Sequence, residues 1–243
     1  MRIGSVPYLN ARPLIEGLAD VVLDVPSRLT ERFRRGDLDV ALLPSFESVR
    51  DPDRAVVPGI CIGSPGPVDS VLLFARRPPA ECRSVLLDTS SLTSVALTRI
   101  LMEERFGARP EYRPCGPEVD PRTADADAVL LIGDPAMRAP RDGLETIDLA
   151  LAWREWTDLP FVFALWVARD EAVAEEAEPL LREAKERGLA RRAEIAAAAV
   201  PSLQIDAATL TRYLTERITF DLGAGEREAL RRYGEGCRRL GLV

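Results

Sequence analysis

Phe161-Val162-Phe163-Ala164-Leu165-Trp166-Val167-Ala168 is an unbroken apolar run of strand length, and a shorter run, Ser70-Val71-Leu72-Leu73-Phe74-Ala75, precedes it in the chain. Apolar runs without polar alternation predict strands covered on both faces. Between them lies a complete α/β unit: Ser84 to Leu87 reads as a strand, Ser94 to Phe106 as a helix stopped by Gly107, and Ala128 to Ile132 as another strand. Ahead of them lies a similar unit. Arg2 to Val6 is its first strand, Ala11 to Leu18 a short helix and Val21 to Val25 a second strand. A helix capped by Ser27 and stopped by Gly36 follows, then a strand from Asp39 to Leu43 ending at Pro44. The two apolar runs are thus placed to carry the chain across and back between two units. The pattern predicts an α/β fold with two lobes and a cleft between them: residues 1–76 plus 165–243 form a discontinuous first lobe, and 77–164 the second. From Asp170 onward an Ala, Glu and Arg rich stretch with breaks at Gly188, Pro201 and Gly223 to Gly225 predicts about three closing helices. Arg109 to Thr123 reads as a surface loop, and no internal repeat stands out.

Composition removes several classes of function. A formal charge of −7 disfavours a phosphate-tracking surface, so nucleic acid is not an expected partner. Cys61, Cys82, Cys115 and Cys237 are too widely spaced for a zinc cluster or a redox pair and read as buried free thiols. The absence of histidine excludes the Ser-His-Asp and Cys-His machineries. No phosphate loop or dinucleotide fingerprint follows a strand, and neither metal nor cofactor is expected. No segment is long and apolar enough for a membrane span, and the first residues enter a strand without a secretion-type leader, so the expected location is cytoplasmic.

In open α/β sheets ligands gather beyond the carboxyl ends of the strands. The first such end carries Pro7-Tyr8-Leu9-Asn10-Ala11-Arg12. Asn10 fits either a helix N-cap or an amide that orients a hydroxyl, and Arg12 either a solvated helix arginine or a carboxylate partner. Asp88-Thr89-Ser90-Ser91-Leu92-Thr93-Ser94 packs hydroxyls between a strand and a helix. One of them must cap the helix, and their density beside free N–H groups suits a carboxylate or phosphate. Gly63 to Ser70 reads as a rigid loop able to approach a ligand, or as a plain turn. Asp134, followed by Pro135, reads first as a helix cap. Trp153, Trp156, Phe161, Phe163 and Trp166 read mainly as core.

Taken in order, Val6 to Leu14, Asp39 to Ser45, Gly66 to Val71, Asp88 to Val95, Leu131 to Asp134 and Trp153 to Ala164 resemble the chorismate dehydratases of the futalosine route to menaquinone. That family has the two-lobed fold of type II solute-binding proteins. The resemblance implies that the ligand is chorismate, that water is removed to give 3-[(1-carboxyvinyl)oxy]benzoate, and that no cofactor takes part. It places Asn10 and a serine of the hydroxyl loop, Ser90 or Ser91, at the reacting centre. Tyr8, Arg12, Ser45 and Ser64 are candidate substrate contacts on the same ground, as are Gly66, Thr89, Thr93 and Asp134. For the base, the substrate's enolpyruvyl carboxylate is preferred, with Glu47 as the protein alternative. A 1,4-dihydroxy-6-naphthoate synthase is the enzymatic competitor, and it is expected to use a histidine that this chain lacks. A small-anion binding protein is the non-enzymatic one.

Overall fold

The computed structural model describes all residues, 1–243. Two five-stranded sheets divide the strands between them. The first is built from β1 (Ile3–Ser5), β2 (Val22–Leu23), β3 (Val40–Pro44), β4 (Ala55–Ser64) and β10 (Phe161–Ala168) in the spatial order β2-β1-β3-β10-β4. The second uses β5 (Val71–Ala75), β6 (Ser84–Asp88), β7 (Glu111–Cys115), β8 (Ala128–Ile132) and β9 (Glu145–Asp148) in the order β7-β6-β8-β5-β9. The plan is the same in both. Three strands run parallel, and an antiparallel strand separates them from the edge: β10 between β3 and β4, β5 between β8 and β9. One architecture is thus used twice, although the sequence shows no repeat.

The pairing corrects the expected lobe boundaries. Val71–Ala75 pairs in register with Ile132 to Ala128 and with β9, so this segment belongs to the second sheet. Ala164 pairs with Pro44 and with Ile62, so Phe161 to Ala164 belong to the first. The chain therefore crosses just before Val71 and returns just before Phe161, because each apolar run is an inserted antiparallel strand and not a bridge between sheets.

The inner strands β3, β5 and β8 are buried throughout. Edge strands look different. In β4, Pro58 and Gly59 interrupt the pattern, Gly59 has φ +74°, and the register slips opposite β10. β7 carries Glu111, Arg113 and Pro114 inside the segment expected to be a loop. A strand with one neighbour tolerates proline because its outward N–H needs no partner in the ladder.

Helices α1 (Pro26–Arg34), α2 (Ser45–Arg50), α3 (Leu92–Ile100), α4 (Gly133–Arg138) and α5 (Leu149–Thr157) connect the strands. α1 starts at Pro26 after Val25, so Ser27 lies inside it and does not cap; Pro at the first helical position supplies the start. Gly36 ends it as expected, at φ +79°. A π-type turn, Leu101–Arg105, extends α3 towards Gly107.

The closing segment holds four helices: α6 (Glu171–Ala190), α7 (Arg192–Leu203), α8 (Ala207–Arg212) and α9 (Ala224–Arg239). Gly188 does not break α6. It is the point where α6 presses on the short 3₁₀ helix Leu9–Ile15, and a Cβ there would overlap the backbone of Pro13. Gly188→Ala should therefore cost at least about 2–3 kcal/mol of stability, as overpacking against rigid backbone does. Chemical denaturation of the variant against the parent measures it; an unchanged midpoint would mean that this contact does not hold α6 in place.

Candidate functional site

The strand ends of both sheets meet around a cleft enclosing about 550 Å³ of atom-free space, including its open mouth. Tyr8 and Asn10 enter it from the segment after β1, Ser91 and Ser94 from the start of α3, and Gly133 from the end of β8. Ser70 enters at the crossing. Leu42, Ile62, Val68, Val71, Ile132 and Phe163 make up most of the apolar wall. Mostly apolar walls with a few convergent polar groups are the usual composition of a small-molecule site.

Asn10 is not a cap. The 3₁₀ helix begins at Leu9, Tyr8 occupies the capping position without a side-chain bond, and Asn10 sits inside the first turn. It lines the cleft, and its Oδ1 is buried without a hydrogen-bond partner. Tyr213 opens the π-type turn Tyr213–Arg217 after α8, is only 3% exposed, and lies 2.9 Å from the Ser70 hydroxyl. Burial pushes its phenol well above the ordinary range, so it remains protonated.

The crossing that carries Ser70 is fixed by Asp148. One carboxylate oxygen accepts the N–H groups of Val68 and Asp69 at 2.8 and 2.7 Å, and the other caps α5 through Ala150 and Leu151. Burial raises the Asp148 pKa, opposed by these backbone bonds. The Ser70 carbonyl accepts the Gly133 N–H at 2.7 Å. Gly133 has φ +62° and lies flat against the Tyr8 ring, a backbone conformation that suits glycine.

The hydroxyl loop divides. Ser91 caps α3 and accepts from the Ser94 N–H at 3.4 Å and the Ser94 hydroxyl at 3.2 Å; both serines face the cleft. Ser90 turns away, donating from its backbone N–H at 3.0 Å and its hydroxyl at 2.6 Å to one oxygen of Asp88, which is fully buried. Thr89 and Ser90 instead line a separate hollow beside α1, together with Ser27, Thr30 and Arg34. Thr93 points into the interface between the lobes, where its hydroxyl accepts the Phe46 N–H at 3.0 Å.

The remaining expectations sort similarly. Ser45 is completely buried and donates to the Val162 carbonyl at 2.7 Å. Ser64 donates to the Gly66 carbonyl at 2.8 Å, so both close a turn away from the cleft. Arg12 lies on another surface hollow with Arg191 and Glu194. Asp134 lies in the first turn of α4 without capping it, and burial raises its pKa. Glu47 is held by Arg34 at 2.7 Å and Arg50 at 2.6 Å, is pushed up by burial, and is absent from the cleft wall. No carboxylate side chain lines the cleft. Tyr8 is its one titratable group, raised by burial and by the charge of Asp88.

Residues 1–239 match a protein family described as Menaquinone biosynthesis. A chorismate dehydratase of Thermus thermophilus is 34% identical over 238 residues, covering 87% of this chain and 86% of that protein. The chain belongs to the chorismate dehydratase family. A chorismate dehydratase of Campylobacter jejuni is 27% identical over the full length of both proteins. The periplasmic aliphatic sulphonate binding protein SsuA of Escherichia coli shares the fold, with a TM-score of 0.67 at 16% identity, covering all of this chain and 88% of that one. The two-lobed solute-binding-protein architecture expected from the sequence is therefore the one this family member adopts, and the chain is that of an enzyme of menaquinone biosynthesis.

Within this family member, the two loop serines should respond differently to truncation. Ser90→Ala removes a donor to a fully buried carboxylate and should cost about 1.5–3 kcal/mol. Ser91→Ala removes a cap and should cost about 1 kcal/mol. Urea denaturation of both variants reads the order, and the reverse order would contradict the division of the loop.

Proposed function

We propose that this chain is a hydro-lyase that removes water from chorismate to give 3-[(1-carboxyvinyl)oxy]benzoate. The observation that carries the reading is the pairing, across one apolar cleft, of an unpartnered Asn10 Oδ1 with the Ser91/Ser94 start of α3. Chorismate offers a carboxylate for the helix start and a ring hydroxyl for the amide. A helix N-terminus favours an anion through its free N–H groups and its dipole. An amide can accept the hydroxyl proton and offer an N–H to the oxygen as it leaves.

Elimination makes the ring aromatic, so the reaction is strongly favoured and the protein's main contribution is orientation. The neighbouring ring proton passes to the substrate's enolpyruvyl carboxylate, and the C–H electron pair becomes a ring double bond. The C–O bond breaks, and the transferred proton completes the departing water. Two features support a base carried by the substrate: the cleft wall has no carboxylate, and Glu47 is neutralised by two arginines away from it. Of the two serines considered, Ser91 is the one favoured for substrate contact, since Ser90 is committed to Asp88. The expected substrate-contact roles of Arg12, Ser45, Ser64, Gly66, Thr89 and Thr93 are withdrawn, because their side chains or backbones serve other contacts or surfaces.

Incubating the purified protein with chorismate, without added metal or cofactor, should yield a product lighter by one water and carrying an aromatic ring. Recovery of unchanged chorismate would overturn the proposal. The rate should be level between about pH 6 and 9 and fall only as the substrate carboxylate becomes protonated, near about pH 4. A fall centred near neutrality would instead point to a protein base.

A further inference from the structure

Chorismate carries two carboxylates, and the start of α3 provides for one. No lysine or arginine lines the cleft, so the other must be met by neutral donors. Ser70 is placed for this. It lines the cleft beside Val68 and Val71, at the crossing before β5, and is only 1% exposed. In the second sheet β8 lies between β5 and β6, so the strands that adjoin Ser70 and the start of α3 are two inter-strand spacings apart, about 10 Å. One carboxylate cannot bridge that distance. On its other side the Ser70 carbonyl accepts the Gly133 N–H at 2.7 Å, and Gly133 lies against the ring of Tyr8, two residues before Asn10. Ser70 therefore belongs to the Asn10 side of the cleft.

The hydrogen count decides where the Ser70 proton is free to go. The Ser70 and Tyr213 hydroxyls are 2.9 Å apart; one proton lies between them and one is left over. Tyr213 is 3% exposed, does not line the cleft, and has the Ser70 hydroxyl as its side-chain partner. Were Ser70 the donor of this pair, the phenol proton would be buried and unpaired, which carries the full desolvation penalty of a polar group. The phenol therefore donates to Ser70. Ser70 keeps its own proton, and the open space beside it is the cleft. A hydroxyl that already accepts one hydrogen bond is polarised towards donating the next.

The backbone around Ser70 is fixed as well. Asp148 holds the N–H groups of Val68 and Asp69, Gly133 holds the Ser70 carbonyl, and Arg217 binds the Asp69 carboxylate at 2.7 Å. A donor held in place before the ligand arrives loses little freedom on binding.

We infer that the Ser70 hydroxyl, backed by Tyr213, is a substrate-binding group that donates to the carboxylate of the enolpyruvyl side chain. The inference rests on the dehydration proposed above for the identity of the ligand. In chorismate the enolpyruvyl ether is on the ring carbon next to the one that bears the hydroxyl, and the ring carboxylate is on the carbon opposite. With the hydroxyl at Asn10 and the ring carboxylate at the start of α3, the carboxylate on the Asn10 side is that of the side chain. It is also the one that takes the ring proton, so Ser70 holds the base beside the bond that breaks.

Calorimetry with two ligands tests this: the product, 3-[(1-carboxyvinyl)oxy]benzoate, and the same ether without its side-chain carboxylate, 3-isopropenyloxybenzoate. Ser70→Ala should weaken binding of the first about 10–100-fold, the loss of one hydrogen bond to a charged group, and of the second less than about twofold. The single variant strands the Tyr213 proton and is destabilised by it. The double variant Ser70→Ala/Tyr213→Phe removes both polar groups, should fold like the parent, and should show the same selective loss. Equal weakening of both ligands would take the side-chain carboxylate away from Ser70 and overturn the inference, as would unchanged affinity for the product. Turnover of chorismate by the parent reads the dehydration separately: a parent that shows the selective loss but leaves chorismate unchanged would overturn the dehydration and keep the Ser70 contact.

Discussion

A tyrosine hydroxyl removed from water must find a partner inside the protein, and the Tyr213 hydroxyl finds it in the Ser70 hydroxyl, 2.9 Å away and far from it in sequence. To satisfy it, the crossing into the second lobe and the closing helices must meet at one point. That requirement fixes the relative placement of the cleft walls more tightly than apolar packing could, because a hydrogen bond weakens within a few tenths of an ångström while an apolar contact slides. The neighbouring pairs, Asp148 with the crossing backbone and Arg217 with Asp69, hold the same corner.

Behind the cleft the two lobes share one core. A single cluster of 60 buried residues runs through both sheets, and Tyr233 of α9 links them, stacked edge-on against Phe161 with centroids 5.3 Å apart and donating to the Thr93 carbonyl at 3.2 Å. Gly236 of α9 lies against Ile100 of α3, where a Cβ would come within 2.9 Å. The site is accordingly built on a continuous scaffold, which suits a reaction that asks for a fixed substrate pose more than for strong acids or bases.

The strands with two neighbours were legible because burial on both faces leaves no polar alternation: Ala128–Ile132 and Phe161–Ala168 have the limits read from sequence. Of the four edge strands only β2 was. β4, β7 and β9 contain proline, glycine or charge, which one free edge permits and a sequence reading takes for loop. The site shows the same contrast. Asn10 and Ser91 were legible because strand ends in an α/β fold face ligands, but the pattern cannot say which way a hydroxyl points. Ser45, Ser90 and Thr93 therefore looked like Ser91 although they serve Val162, Asp88 and Phe46. Ser70 and Tyr213 were missed for another reason: one precedes an apolar strand and the other sits in a helical stretch, and only the fold brings them together.

The account makes Asn10 a residue of the reacting step more than of binding, since the helix start and apolar walls that would hold chorismate do not depend on it. Measuring kcat together with calorimetric affinity for chorismate in Asn10→Ala tests this most directly. The account predicts a fall in kcat of about a hundredfold or more, comparable to loss of one preorganised hydrogen-bonding group, with affinity kept within a few fold. A kcat close to that of the parent, or a loss of affinity as large as the loss of rate, would contradict it.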